Sequence, residues 1–567
     1  LGMYLRTTQR TNKDGSVTRY VQLAHNFWDA RAGCAKAKVL YNFGRAEQVD
    51  RAALERLVGN IRRFLGPDAE LQGQASDAGD LRYLGSRAWG GVWALDELWR
   101  RLGIAKVVRS LVAAHRFETP VERLLFALVA NRALAPSSKL AIEEWVAEEV
   151  AVPGLASVGV QQLYRAMDFL LSAEAELQHQ VYRAVADVLS LEVDLLFFDT
   201  TSTYFEVEAE DELRRFGHSK DHRPDRPQAV IGFAVTRQGI PVRVWVWPGN
   251  TADVSVISEV KRDLIGWQLG RVVTVLDRGF VSEENLRTLQ LAGGHYIVGE
   301  KLRGGKADIE QVLGRAGRYT PVVTGVEVKE VVVGDGEARR RYLLVRNPAE
   351  AQRDRAQREA TLGELRERLA ALKAAKGNTH SKLHCALRSH ATFGRWLIQD
   401  ARGRLVIDER KVHDEARLDG KYILRTSDDT LSPEDVVLGY RQLYEVEDAF
   451  RTLKQTLELR PVYHRTEQRI RAHVILCWLG LLLIRVAEVR TGRTWSRIRT
   501  LLQRIRLGSF IGPHGSFRQR SELSQEQKGI YAALGIAEPP LLAEVTPAAQ
   551  QNAAAAPSST TSDQPAA

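Results

Sequence analysis

The chain of 567 residues has only three cysteines and two methionines. Cys34, Cys385 and Cys477 lie far apart and form no Cys-x-x-Cys pair. That spacing argues against a disulfide framework or a cysteine zinc site, and it fits a reducing, cytoplasmic setting. His218, His222, His464 and His473 form no recognisable zinc set either. The longest apolar run, residues 474–484, is too short to span a bilayer and reads as a buried helix, so no membrane partner is expected. The first residues are polar and basic with no apolar core region, so no signal peptide is expected. No internal repeat is present. Residues 460–520 contain no lysine at all.

Arginine takes the place of lysine in that segment. It holds 13 Arg and 2 Glu, a net of +11, which exceeds the +10 of the whole chain. Residues 1–65 hold 12 Lys+Arg against 5 Asp+Glu, a net of +7. With a pI of about 9.4, this balance favours a polyanionic partner. Guanidinium groups suit bidentate phosphate contacts. The plainer alternative is a solvated basic face. The apolar share, 44%, is ordinary for a globular chain with sizeable cores, and the length implies more than one domain.

Residues 1–190 read as strands followed by helices. Strands are expected at 20–23 and 38–41, with Lys13-Asp14-Gly15 as a turn and a helix at 51–65. Residues 121–134 and 139–150 read as two helices split by Pro136-Ser137-Ser138. They fit a DNA-binding helix–turn–helix or two packed helices of an ordinary bundle. Residues 191–303 change character, with strands at 195–198, 229–235 and 242–247 and a helix at 254–264. A strand at 272–276, a helix capped at Ser282 and a strand at 295–298 follow. Three strands, helix, strand, helix, strand is a mixed sheet consistent with an RNase H-like core. Residues 304–430 carry strand-like pieces and a charged helix at 349–376, and read as an inserted domain. Residues 431–460 return to the core as a helix. Residues 461–544 read as an Arg-rich helical region, and 545–567 as a disordered Ala/Ser/Thr/Pro/Gln tail.

Two aspartates end two of the apolar strands, Asp199 after 195–198 and Asp277 after 272–276. A carboxylate at such a place is costly unless its charge is compensated. A third acid, Glu447, sits on a segment with two helical stripes. Leu443, Val446, Phe450, Leu453 and Leu457 form an apolar face, and Tyr440, Tyr444, Glu447, Arg451 and Lys454 form a polar one. The three acids suit a divalent-cation site of hard oxygen ligands, or they are scattered structural acids. The loop His218-Ser219-Lys220-Asp221-His222-Arg223 holds donors and charge between two strands; it is a backbone-phosphate contact or a solvated hairpin. Trp245, Trp247, Trp478 and Trp495 read as core residues before base-stacking platforms; Trp495, among Arg493, Arg497 and Arg499, is the one to test for DNA contact.

Asp199-Thr200-Thr201, Asp277-Arg278-Gly279 and Tyr440…Glu447…Lys454 resemble the three catalytic blocks of the DDE insertion-sequence transposases. They are most similar to the IS-four branch, whose signature is Tyr-x2-Arg-x3-Glu-x6-Lys. Residues 217–225, Pro248-Gly249-Asn250-Thr251-Ala252-Asp253 and Arg460-Pro461-Val462-Tyr463-His464 also resemble that branch, as does the N-terminal region from Tyr4 to Arg45. The resemblance covers about residues 3–510. It implies an RNase H-like catalytic domain interrupted by a strand-containing insertion, with a helical N-terminal DNA-binding region. It implies that Asp199, Asp277 and Glu447 bind two Mg²⁺ or Mn²⁺ ions. The implied reactions are cleavage at the terminal inverted repeats and joining of the 3′ ends to target DNA. The implied partner is double-stranded DNA, bound by a homodimer in the cytoplasm of a bacterium. DNA contacts are expected from Tyr440, Arg451, Lys454, His218, Lys220, Arg223 and Arg278.

One position departs from the signature, because Leu443 stands where the branch has Arg. On a helical wheel Leu443 lies about 40° to one side of Glu447 and Arg451 about 40° to the other. Arg451 is therefore expected to supply the missing phosphate contact; the alternative is a surface pair with Asp448. The departure keeps open a catalytically impaired, transposase-derived DNA-binding protein. A metal-dependent nuclease without strand transfer is a third reading.

Overall fold

The computed structural model describes residues 3–11, 17–29, 34–45, 81–191, 194–265, 267, 272–303, 305–460, 462, 464–512 and 515–547. The chain divides into two compact units, Leu191–Thr452 and the combination of Leu1–Ser190 with Leu453–Ala567.

The unit Leu191–Thr452 is built on one large sheet. Strands β1 (Leu195–Tyr204), β2 (Gln228–Thr236) and β3 (Pro241–Pro248) form an antiparallel meander. Helix α1 (Ile257–Ile265) leads to β4 (Val273–Leu276), and α2 (Glu283–Gln290) leads to β5 (His295–Glu300). Ser282 caps α2 by accepting from the Asn285 amide at 3.1 Å. The expected succession of three strands, helix, strand, helix, strand is present. β4 pairs in parallel with both β1 and β5. Nearly every residue of β1, β2 and β4 is buried, which suits their continuous apolar runs.

The segment that follows adds to this sheet. Helix α3 (Ala307–Gly314) precedes β6 (Thr320–Val323), β7 (Val326–Val333) and β8 (Arg340–Arg346). Next come α4 (Pro348–Ala374), α5 (Gly377–Ser389), the ribbon of β9 (Leu397–Gln399) and β10 (Leu405–Ile407), and α6 (Glu409–Ala416). Strand β11 (Lys421–Thr426) completes a sheet of order β6-β7-β8-β11-β5-β4-β1-β2-β3. β11 pairs antiparallel with β5, so backbone groups on that flank of β5 are paired. The helical part of this segment has a small core of its own, including Leu362, Leu365, Leu369, Phe393 and Trp396.

Two local expectations are corrected here. β1 does not end at Asp199; it runs on to Tyr204, with Asp199 opposite Phe233 of β2. Thr200, Thr201 and Thr203 are β-branched and hold the extended pairing. The Glu447 segment is not one helix either. It comprises α7 (Pro433–Arg441), α8 (Tyr444–Arg451) and a π-helical turn, Thr452–Thr456. Between α7 and α8 the bonds tighten to i→i−3, Leu443 N–H to Tyr440 O at 3.1 Å and Glu445 N–H to Gln442 O at 2.9 Å.

The other unit carries a three-stranded antiparallel sheet of Met3–Thr11, Val17–Asp29 and Cys34–Arg45. It also holds a helical bundle and a second sheet. The second predicted helix of the pair is short: Ala141–Glu144, then a π-helical turn, Trp145–Glu149. The region expected to be helical from 461 onward also supplies strands. Arg506–Gly512, Gly515–Arg520 and Leu542–Pro547 form a four-stranded sheet with Arg82–Ala88. The apolar run at 474–484 lies inside a helix of 25 residues, Glu467–Thr491. That helix is long and apolar enough to cross a membrane, but 83% of its apolar window is buried, as in a bundle core. The expected turn at 13–15 and helix at 51–65 fall outside the described residues, as does the expected tail from 548 onward; its first three residues, 545–547, are not disordered but belong to the strand Leu542–Pro547.

Gly232 shows how tightly the sheet is covered. It sits opposite Thr200 and Trp245, and a Cβ there would stand 2.5 Å from the Trp247 ring and 3.2 Å from Phe198. Gly232→Ala is expected to lower stability by about 1–3 kcal/mol, the usual penalty of overpacking. The denaturant midpoint at unchanged m-value measures it.

Candidate active site

The site follows from strand register. Phe198 of β1 is opposite Leu276 of β4, and Leu276 is opposite Val298 of β5. The next residue on each strand continues the row, so Asp199, Asp277 and Gly299 share a level and a face. Asp277 lies just past β4, with its backbone still extended at φ −74° and ψ 163°. Adjacent strands are about 4.8 Å apart, so the two carboxylates are neighbours. Phe233 extends the row on the far side of Asp199.

The helices α7 and α8 lie over this face. The Tyr440 hydroxyl donates to Asp277 Oδ1 at 3.2 Å. It occupies the space above Gly299, where any Cβ would collide with it. Burial, then the nearby Asp277 carboxylate, hold the phenol well above its ordinary pKa, so it acts as a donor. At the other end the Phe450 ring packs edge-on against Phe233 at 5.5 Å. Val446, Ala449 and Phe450 form the buried face of α8, and Tyr444, Glu447 and Arg451 its exposed one. Glu447 thus falls between the two anchoring aromatics in sequence, on the solvent side of its helix. Among the described residues, no three His, Cys, Asp or Glu side chains stand close enough to hold a metal ion.

Asp199 is the perturbed acid of the row. Burial pushes its carboxyl up to about 6; the Asp253 and Asp277 carboxylates add to the rise, and Lys220 and the Thr200 amide oppose it. Lys220 is the counter-charge. Its ammonium lies 3.8 Å from Asp199 Oδ1 and 3.1 Å from Asp253 Oδ2, and donates to Thr200 O at 2.8 Å and Thr200 Oγ1 at 2.7 Å. The Thr200 hydroxyl also donates to Asp253. The sequence reading missed Asp253 and Thr200 as members of this cluster. Asp253 ends the motif Pro248–Asp253, but an acid after a turn has no periodicity to single it out.

The remaining predicted residues divide. Lys220 is in the cluster, while His218 and Arg278 are exposed. Arg223 is held by Asp225 at 2.8 and 2.9 Å and lies over the Tyr204 ring, 4.8 Å from its centre. Arg451 pairs with Asp448, the surface arrangement weighed against a phosphate contact. Leu443 is half-buried. Lys454 lies just beyond the boundary between the two units, in the π-helical turn. Several arginines of the basic segment are also engaged within their own unit. Arg493 and Arg497 bind Glu526 at 2.8 and 2.9 Å, and Arg485 binds Glu488 at 2.9 Å. Trp495 is no stacking platform: it is buried and donates to Ala133 O at 2.9 Å.

Residues 199–483 match a family model described as a transposase DDE domain. Residues 5–71 match the N-terminal domain of IS1634 family transposases. No curated protein matches the chain. A cryo-EM structure of a piggyBac transposase synaptic complex with hairpin DNA is similar at 11% identity over 73% of this chain and 79% of its own, with a TM-score of 0.35. A likeness that loose says nothing about the site.

The raised Asp199 pKa has a direction that can be checked. Between the unfolded value, about 3.9, and the folded value the native state binds the extra proton, so stability falls as pH rises through that window. The penalty is complete above pH 6 and absent well below pH 4. Asp199→Asn is expected to stabilise the metal-free protein by about 1–3 kcal/mol at pH 8, and by little at pH 3.5. Urea unfolding with chelator at both pH values tests this.

Proposed function

Because the chain belongs to the DDE insertion-sequence transposases, we propose that it cuts DNA at the terminal inverted repeats of a mobile element and joins the 3′ ends to target DNA. The order β3-β2-β1-β4-β5, with parallel pairs only around β4, supports an RNase H-like core. The observation that carries the reading is the pair Asp199 and Asp277, side by side in register on parallel strands.

In this reading Asp199, Asp277 and Glu447 hold Mg²⁺ or Mn²⁺. The donor set fits: hard carboxylate oxygens, two of them adjacent, with Asp199 crowded enough to need a cation. Two such ions supply activation of a water or a 3′-hydroxyl and stabilisation of the leaving oxygen in an in-line displacement. Tyr440 orients Asp277 through its 3.2 Å hydrogen bond. Lys220 neutralises the cluster in the absence of metal and is placed to meet a strand phosphate when DNA occupies the face. Arg278, His218, Arg223, Arg451 and Lys454 are the further DNA contacts proposed; for Arg451 and Arg223 this requires exchange of Asp448 and Asp225 for phosphate. A homodimer would pair two ends.

Mg²⁺-dependent release of 3′ ends from an inverted-repeat duplex tests the reading. Asp199→Ala, Asp277→Ala and Glu447→Ala are each expected to lower cleavage by about 10²-fold or more, a loss comparable to removing a main electrostatic group. Equal activity in the variants would remove the assignment. Tyr440→Phe keeps the ring and loses the hydrogen bond, so a drop of about 2–13-fold is expected, from a bond worth about 0.5–1.5 kcal/mol. Cleavage without joining would favour a nuclease, and DNA binding without cleavage an impaired relative.

A further inference from the structure

Among the described residues, the helical unit buries two cations that form no ion pair. Arg132, near the end of the helix Val121–Leu134, and Lys139, in the loop after it, are each only 5% exposed. Among the described residues neither takes part in an ion pair. Arg132 donates to backbone carbonyls, those of Ser137, Leu457 at 3.5 Å and Glu458 at 3.3 Å, and its buried Nε has no partner. Lys139 Nζ has one contact, His473 Nδ1 at 3.5 Å, although an ammonium carries three donors.

Such an arrangement is costly as it stands. Two buried cations without an ion pair repel each other where water solvates them poorly. Burial and the Arg132 charge bring Lys139 down to about 7. The same causes, with Lys139 among them, bring His464 down to about 4 and His473 well below its usual value. Both imidazoles are therefore neutral at pH 7, and each is able to donate from one ring nitrogen. Yet these groups do not face a sealed core. Arg132, Ser137, Ser138, Lys139, Tyr164 and His464 line a pocket of about 570 Å³, a volume suited to a nucleotide-sized group. Glu458 also lines it: its carbonyl accepts from Arg132, and its exposed carboxylate offsets only part of the burial that lowers the Arg132 pKa.

We propose that this pocket binds a phosphate group, held by Arg132 Nε–H and the Lys139 ammonium with the serine hydroxyls and His464 at the rim. A phosphate would supply the missing negative charge and accept from donors now unused. The inference rests on the helical unit alone and is independent of the carboxylate row. The phosphate comes either from a DNA strand or from a free nucleotide or inorganic phosphate.

Two measurements on the full chain test it. Inorganic phosphate, against chloride at equal ionic strength, is expected to raise Tm by about 2–5 °C. Lys139→Met, which keeps length without charge, is expected to abolish that rise and to raise Tm in chloride. No rise in the wild type, or the same rise in the variant, overturns the proposal. The second measurement needs no variant: labelling of Lys139 by an amine-reactive reagent, followed by mass spectrometry, should slow at least about 5-fold in phosphate, as expected when occupancy exceeds 80%. Unchanged labelling overturns the proposal whatever the variant does. Protection by a 5′-phosphorylated oligonucleotide far below the concentration of inorganic phosphate needed identifies a strand phosphate. Equal potency of inorganic phosphate identifies a free one.

Discussion

The parallel pairing of β1, β4 and β5 is the constraint on which the candidate active site depends. It fixes three strands at one level, and the residue after each paired segment falls into a single row. Two of those residues are aspartates and the third is a glycine. The acids concentrate negative charge, and the glycine leaves room for the tyrosine ring whose hydroxyl donates to one of them. A one-residue slip between β1 and β4 would turn one acid to the opposite face, and one between β4 and β5 would take Gly299 out of the row, because side chains alternate with period two. Register, more than the acids themselves, makes the site.

Burial and charge oppose each other within that row, and Lys220 is where they are reconciled. Asp199 loses solvent on a strand whose neighbours are apolar, and Asp253 and Asp277 add repulsion. An ammonium bound to Thr200 and Asp253 offsets part of this. The helical unit shows the inverse case, where Arg132 and Lys139 are buried and, among the described residues, form no ion pair. An unpaired charge in low dielectric is strained either way. Acidic charge is concentrated in the one place and basic charge in the other.

Much of the sheet was legible because its strands are apolar on both faces and bounded by turn residues, as at 195–198, 229–235 and 272–276. The extension of β1 past Asp199 was not, since a carboxylate reads as the end of an apolar run. The break between α7 and α8 was hidden for a related reason. Leu443 and Val446 keep helical spacing through the tightened turn, so the periodicity carries on while the hydrogen bonding changes. The strands at 506–512 and 515–520 lie in an arginine-rich stretch where charge masks the alternation. Trp495 is buried, the core reading of the tryptophans, although its arginine neighbours in sequence make it the one to test for DNA contact.

Asp199, Asp277, Tyr440 and Lys220, which the structure brings together, all stand in motifs visible in the sequence; Glu447 stands in one too, on the exposed face of its helix. The succession of core elements was equally accessible, since hydrophobic period and turn residues act over a few positions. Tertiary structure alone decided that Asp253 and Thr200 join the acids, that Arg451 rests on Asp448, and that Arg132 and Lys139 share a pocket with His464 and His473. These are juxtapositions of residues up to hundreds of positions apart. Strand register and helix packing create them, and no short-range pattern records them.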